Sequence, residues 1–132
     1  MGKDQESDLG QRIDAIESGY EFMLAYAAQG RKTDKGGGQG QEVRRFLGDM
    51  DSALQGLGAV CTAAAKARHA DAWTSYQDFL EAVEDDARKA RGVINLVMSC
   101  PDISSQLVDN MNTNVHLRAL LTDLFVIDEA LK

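Results

Sequence analysis

Proline, cysteine and histidine are almost missing from this 132-residue chain, which holds one, two and two of them. A proline inside a helix costs about 3 kcal/mol relative to alanine, so with Pro101 alone nearly the whole chain is free to be helical. Two cysteines, Cys61 and Cys100, are too few for a disulfide framework. The shortage of histidine removes the familiar metal chemistries of helical bundles. Di-iron carboxylate bundles require Glu-x-x-His pairs, and no glutamate here has histidine three positions later. Hemerythrin-like sites need several histidines where only His69 and His116 exist, and covalent c-type haem needs a Cys-x-x-Cys-His run that neither cysteine begins. No nucleophile, base and orienting group form a recognisable set, so no catalytic residue, metal or cofactor is expected. Apolar runs of the ~20 residues needed to cross a bilayer are also lacking, and no membrane contact is expected.

Positive charge is scarce as well. Fourteen Lys and Arg stand against 21 Asp and Glu, a formal net charge of −7. That balance repels phosphate backbones and argues against nucleic acid as a partner. The acidic, polar start of the chain lacks the basic and then apolar pattern of a secretory signal, so a cytoplasmic, reducing setting is the expectation. One stretch runs against the trend. Residues 30–45 carry Arg31, Lys32, Lys35, Arg44 and Arg45 against Asp34 and Glu42, a local +3 that leaves −10 on the remainder. These five side chains are the candidate contacts for an anion or an acidic partner; a merely solvated loop and helix start is the alternative.

What the chain has in abundance is apolar residues at helical spacing. Four segments each carry a stripe. Leu9, Ile13, Ile16, Tyr20, Met23 and Leu24 mark the first, over residues 7–29. Val43, Phe46, Leu47, Met50, Leu54, Leu57 and Cys61 mark the second, over 41–68. The third, over 71–99, is the most regular: Trp73, Tyr76, Leu80, Val83, Ala87, Ala90, Ile94 and Val97 alternate steps of three and four, which keeps one side of an α-helix apolar. Ile103, Leu107, Val108, Met111 and Val115 begin the fourth, over 102–131. Its direction then turns by about a quarter circle, at 100° per residue, to Leu117, Leu120, Leu121, Leu124, Ile127 and Leu131. The pattern predicts an all-α protein, an antiparallel up-down-up-down four-helix bundle in a single domain spanning 1–132. Residues 1–7 are expected to be disordered. Residues 30–41, with the run Gly36-Gly37-Gly38-Gln39-Gly40, are expected to be a flexible connector, since glycine is entropically costly to order. No Gly-Lys-Ser/Thr ends that run, so it is no phosphate loop.

Beside the second stripe, Gly48, Ser52 and Gly56 form a column of small residues suited to close helix approach, and Gly19 interrupts the first segment for the same expected reason. Short connections would place the glycine-rich loop and the Cys100-Pro101 turn at one end of the bundle. His69 lies at the other, ~25 Å from His116 along the axis at 1.5 Å per residue. Because proline favours the first helical position, Cys100 is expected to cap a helix N-terminus, and with basic residues nearby it is the candidate reactive thiol. A helix apolar over so much of its circumference calls for a second covering surface. The expected function is therefore a non-enzymatic protein-interaction module, a homodimer or partner-bound protein, with Leu120, Leu124, Ile127 and Leu131 as its interface. The alternative is a bundle that holds a small apolar ligand near Tyr20, Tyr26, Trp73 and Tyr76.

Overall fold

The computed structural model describes residues 2–132, with side chains from Asp8 onward. The expected disorder of residues 1–7 lies outside the residues described in full. Six helices, rather than four, make up the described chain: α1 (Gly2–Ala27), α2 (Gly40–Leu54), α3 (Leu57–Arg68), α4 (Trp73–Ser99), α5 (Ser105–Asn112) and α6 (Val115–Ala130). A single 3-10 turn, Ala70–Ala72, joins α3 to α4, and no strand occurs among the described residues.

The count rises from four to six because the second and fourth segments each break once, and both breaks have local causes. At the first, Gln55 turns extended and Gly56 takes a left-handed φ of +68°, a conformation that a side chain makes unfavourable. The Gln55 amide closes α2 on the Asp51 and Ser52 carbonyls, and the Gly56 carbonyl accepts the first bond of α3 from Val60. At the second, the Asn114 side chain accepts from the His116 amide at 2.9 Å and caps α6, satisfying one of the donors a helix start leaves open. Ser104 does the same for α5 through Leu107. The turn of the apolar stripe near Val115 thus reflects the seam at Thr113 and Asn114 between two helices. Each points its own face inward.

One core joins all six. α1 packs on α2, α3 and α5, while α4 packs on α2, α3 and α6. Of the side chains expected inside, Ile13, Ile16, Met50, Leu54, Leu57, Leu80, Val83 and Ile94 are buried. Trp73 and Tyr76 are only half-buried. Each has a polar partner near the surface: the face of the Trp73 ring carries the Lys66 ammonium 4.5 Å from its centre, and the Tyr76 hydroxyl donates to the Ala130 carbonyl at the exposed end of α6.

The small-residue column behaves differently from expectation. A methyl group on Gly48 would meet nothing, and Gly56 caps the start of α3 with open space beside it instead of lining a contact. Close approach occurs at Gly19, where Met50 of α2 fills the space a Cβ would need, and at Gly58, over which Glu84 lies.

Candidate functional site

The densest polar network lies where the glycine-rich loop meets the α4–α5 connection. Asp34, 8% exposed, accepts from Arg44 Nε at 2.7 Å and from the Ile103 amide at 2.9 Å. Burial alone would raise its carboxyl, but the Arg44 hydrogen bond and the Ile103 amide outweigh that and hold it below the usual carboxylate range. Arg44 also donates to the carbonyls of Met98 and Cys100, both at 2.9 Å. Beside it, the Tyr26 hydroxyl donates to the Ile103 carbonyl at 2.6 Å, and Ser105 bonds both the Tyr26 carbonyl and the Arg31 backbone. Arg31 turns its guanidinium back onto the carbonyls of Thr33, Lys35 and Gly37. Gly36, Gly37 and Gly38 all have positive φ, so the run of glycines suits the path the loop follows around that side chain.

The basic island is therefore largely occupied by the protein itself. Arg31 and Arg44 serve the loop and the α4 terminus. Lys35 pairs with Asp102 at 3.4 Å. Arg45 pairs with Glu42 and Asp49 and lies over the Phe46 ring. Lys32 differs: it is exposed and lines an open cleft with Ser104, Gln106 and Asp109. The sequence brought these five residues together by proximity in the chain; what it hid was the buried acceptor, Asp34, and the carbonyls that claim the arginines.

Cys100 does not cap a helix N-terminus. It is the C-terminal cap of α4, where carbonyls rather than amides face outward, and its thiol approaches the Leu96 carbonyl at 3.5 Å. Helix α5 starts four residues after Pro101, at Ser105, so the premise for activating the thiol falls away. Cys61 is fully buried, and burial pushes its thiol up to about 12, in keeping with a small apolar core residue.

The four residues expected at an interface are also placed otherwise. Leu120, Leu124, Ile127 and Leu131 are buried in the core of this chain. The apolar side chains that α6 does expose are Val115, Phe125 and Val126, at 69%, 59% and 55%. Nor do the aromatics form one chamber. Tyr26 sits against Ile103 and Arg31, whereas Tyr76 stacks on His69 and reaches the end of α6.

One chemically unusual pair went unremarked in the sequence. Asp123 of α6 and Asp86 of α4 oppose each other across the contact between those helices. Asp123 Oδ2 is shielded from solvent and finds no hydrogen-bond donor among the described residues. Burial, followed by the Asp86 carboxyl beside it, pushes Asp123 up to about 7. The sequence signal was slight, an aspartate at the edge of each apolar stripe, 37 residues apart.

Among the described residues no group of three or more potential metal ligands converges, and no helix is long and apolar enough to cross a membrane. No family model, no curated protein and no solved structure matches the chain.

Proposed function

We propose that this chain is a non-enzymatic interaction module whose six helices act as four antiparallel rods, two of them broken, and which pairs with a second copy of itself through the outer face of α6. The observation that carries the reading is the placing of Val115 and Val126. They are eleven residues apart, three helical turns or about 16 Å, and so share one face. Phe125 adjoins them, and all three are more than half exposed. Single exposed apolar residues are ordinary; two valines in line on one helix, with an exposed phenylalanine flanking them, favour a covering surface.

Symmetry favours a second copy as the cover. Two α6 helices lying antiparallel about a two-fold axis would set Val115 against Val126 at both ends of the face. Two-fold pairing of one patch with itself is the commonest way soluble proteins associate. The face of one helix is small beside the ~800 Å² per partner of a stable interface, so a weak, concentration-dependent dimer is the form to look for. The same chemistry suits a protein surface and gives no purchase for nucleic acid, given the acidic balance of the chain.

Sedimentation over a wide concentration range tests this. The wild type should pass from monomer to dimer, and Val115→Lys with Val126→Lys should remain monomeric with unchanged helicity. A wild type that stays monomeric at millimolar concentration, or a double variant that dimerises equally well, overturns the reading.

A further inference from the structure

The Asp86–Asp123 pair stands apart from the association face and has a consequence of its own. Two ionised carboxylates offer only acceptors, so neither can satisfy the other. Asp123 Oδ2 is cut off from water and has no donor among the described residues. A single proton changes the arithmetic: one carboxyl becomes a donor, the other accepts, and the repulsion between them disappears. We propose that the contact between α4 and α6 is a proton-operated joint, closed while Asp86 and Asp123 share one proton and loosened when both ionise.

The surroundings of the pair support this. Asp123 lies between Leu120, Leu124 and Ile127, which are buried, and Asp86 lies between Val83, Ala87 and Ala90, which are buried as well. The seam is thus apolar above and below the two carboxyls. From α4, Asp86 is the charged group that acts on Asp123. Its cationic neighbours Arg88 and Lys89 are exposed, and Arg88 is held by Asp85. Helix α5, which touches α6 lightly, bears Asp109 as its only charge, and that residue is exposed. On α6 the nearest charges, Arg118 and Asp128, stand five residues to either side. Among the described residues no cation is placed to replace the proton. Burial and the neighbouring carboxyl act in the same direction, toward the protonated form, and the neutral-pH titration noted above follows from that geometry.

Such a joint opens as pH rises. The raised carboxyl stabilises the closed contact fully below the ordinary aspartate value near 3.8, and this stabilisation is lost as pH climbs through about 7. Opening would begin at α6, the helix joined to the rest of the bundle chiefly through α4.

Carboxyl-carbon NMR of the intact chain, titrated from pH 3 to 9, reads the pair directly and separates it from His69 and His116. One of the two side-chain carbons should titrate at about 7, well above the usual aspartate value of about 3.9. In parallel, amide-exchange protection of residues 117–127 should fall between about pH 4 and 7 and then level off, once intrinsic exchange is divided out, and Asp123→Asn should abolish that fall. Asp86→Asn is the second variant, with the same expectation if the first does not fold. If both carboxyls titrate below pH 5 in the wild type, or if protection falls equally in a folded Asn variant, there is no shared proton and the proposal is wrong.

Discussion

At the scale of single residues, the side chains with the most polar partners are those that tie the loop to the α4–α5 connection. Asp34 holds the Arg44 guanidinium and the Ile103 amide at once, and both would lose their acceptor if it were removed. Asp34→Ala should therefore destabilise by about 1 to 3 kcal/mol, the usual range for stranding buried hydrogen-bonding groups, as read by urea denaturation at neutral pH. Tyr26→Phe leaves the Ile103 carbonyl without its donor and should fall at the lower end of the same range. A change indistinguishable from zero in both variants would mean that water replaces these partners readily. The pH dependence has two limbs of opposite sign. Asp34 and Asp51 are both held below the ordinary range: burial works against this in each, and hydrogen bonds from Arg44 in one case and Arg91 and Asn95 in the other prevail. Groups of that kind stabilise above their unfolded value near 3.8, and the contribution disappears as pH falls. Asp123 does the reverse, losing its contribution from there up to about 7. Stability should accordingly peak in mildly acidic solution. Asp34→Ala should soften the acid limb and Asp123→Asn should flatten the neutral one, and melting temperatures across pH 3 to 9 check both at once.

At the scale of helices, the glycines separate close packing from simple tolerance. Gly19 faces Met50 so closely that a methyl group would collide with its side chain, whereas Gly48 and Gly92 have open space beside them. Gly19→Ala should cost about 1 to 3 kcal/mol through overpacking. Gly48→Ala and Gly92→Ala should each gain up to about 1 kcal/mol from helix propensity alone. Thermal melts of the three variants should therefore shift in opposite directions; a stabilised Gly19→Ala would show that Met50 swings aside without penalty. The same residues show what could be read before the fold was known. Stripes such as Leu80, Val83, Ala87 and Ile94 are legible because burial follows helical period, and all four are buried. Gly19 was legible as a close contact because it interrupts a stripe. Gly48 was misread, since a column of small residues looks alike whether or not a helix lies against it. The break at Gly56 was missed because apolar periodicity continues across it; the break at Asn114 did show as the turn of the fourth stripe, but a change of face within one helix and a new helix look alike until the backbone is seen. Asp34, Asp86 and Asp123 could not be found by pattern. Their partners are distant in sequence, and an aspartate in a loop or beside a stripe carries no mark of what it faces.

At the scale of the whole molecule, the difference between inside and outside on α6 decides how the chain can be used. Leu124 and Val126 are two residues apart, about 200° around the helix, and their exposures are 1% and 55%. A lysine at 124 would remove a well-packed leucine, worth about 2 to 5 kcal/mol on truncation alone, and would force an ammonium into an apolar seam as well. The margin of a domain this size is only about 5 to 15 kcal/mol, so Leu124→Lys should largely unfold the protein or leave it with a much lower melting temperature. Val126→Lys should keep helicity and melting temperature within error of the wild type, because its side chain extends into solvent. Circular dichroism and sedimentation on the two variants, taken together, separate the roles. Unfolding in the first case with a native, less associated protein in the second fits a buried inner face and a docking outer one. A folded, monomeric Leu124→Lys would instead return the inner face to the role of interface, and would mean that α6 leaves the core when copies meet.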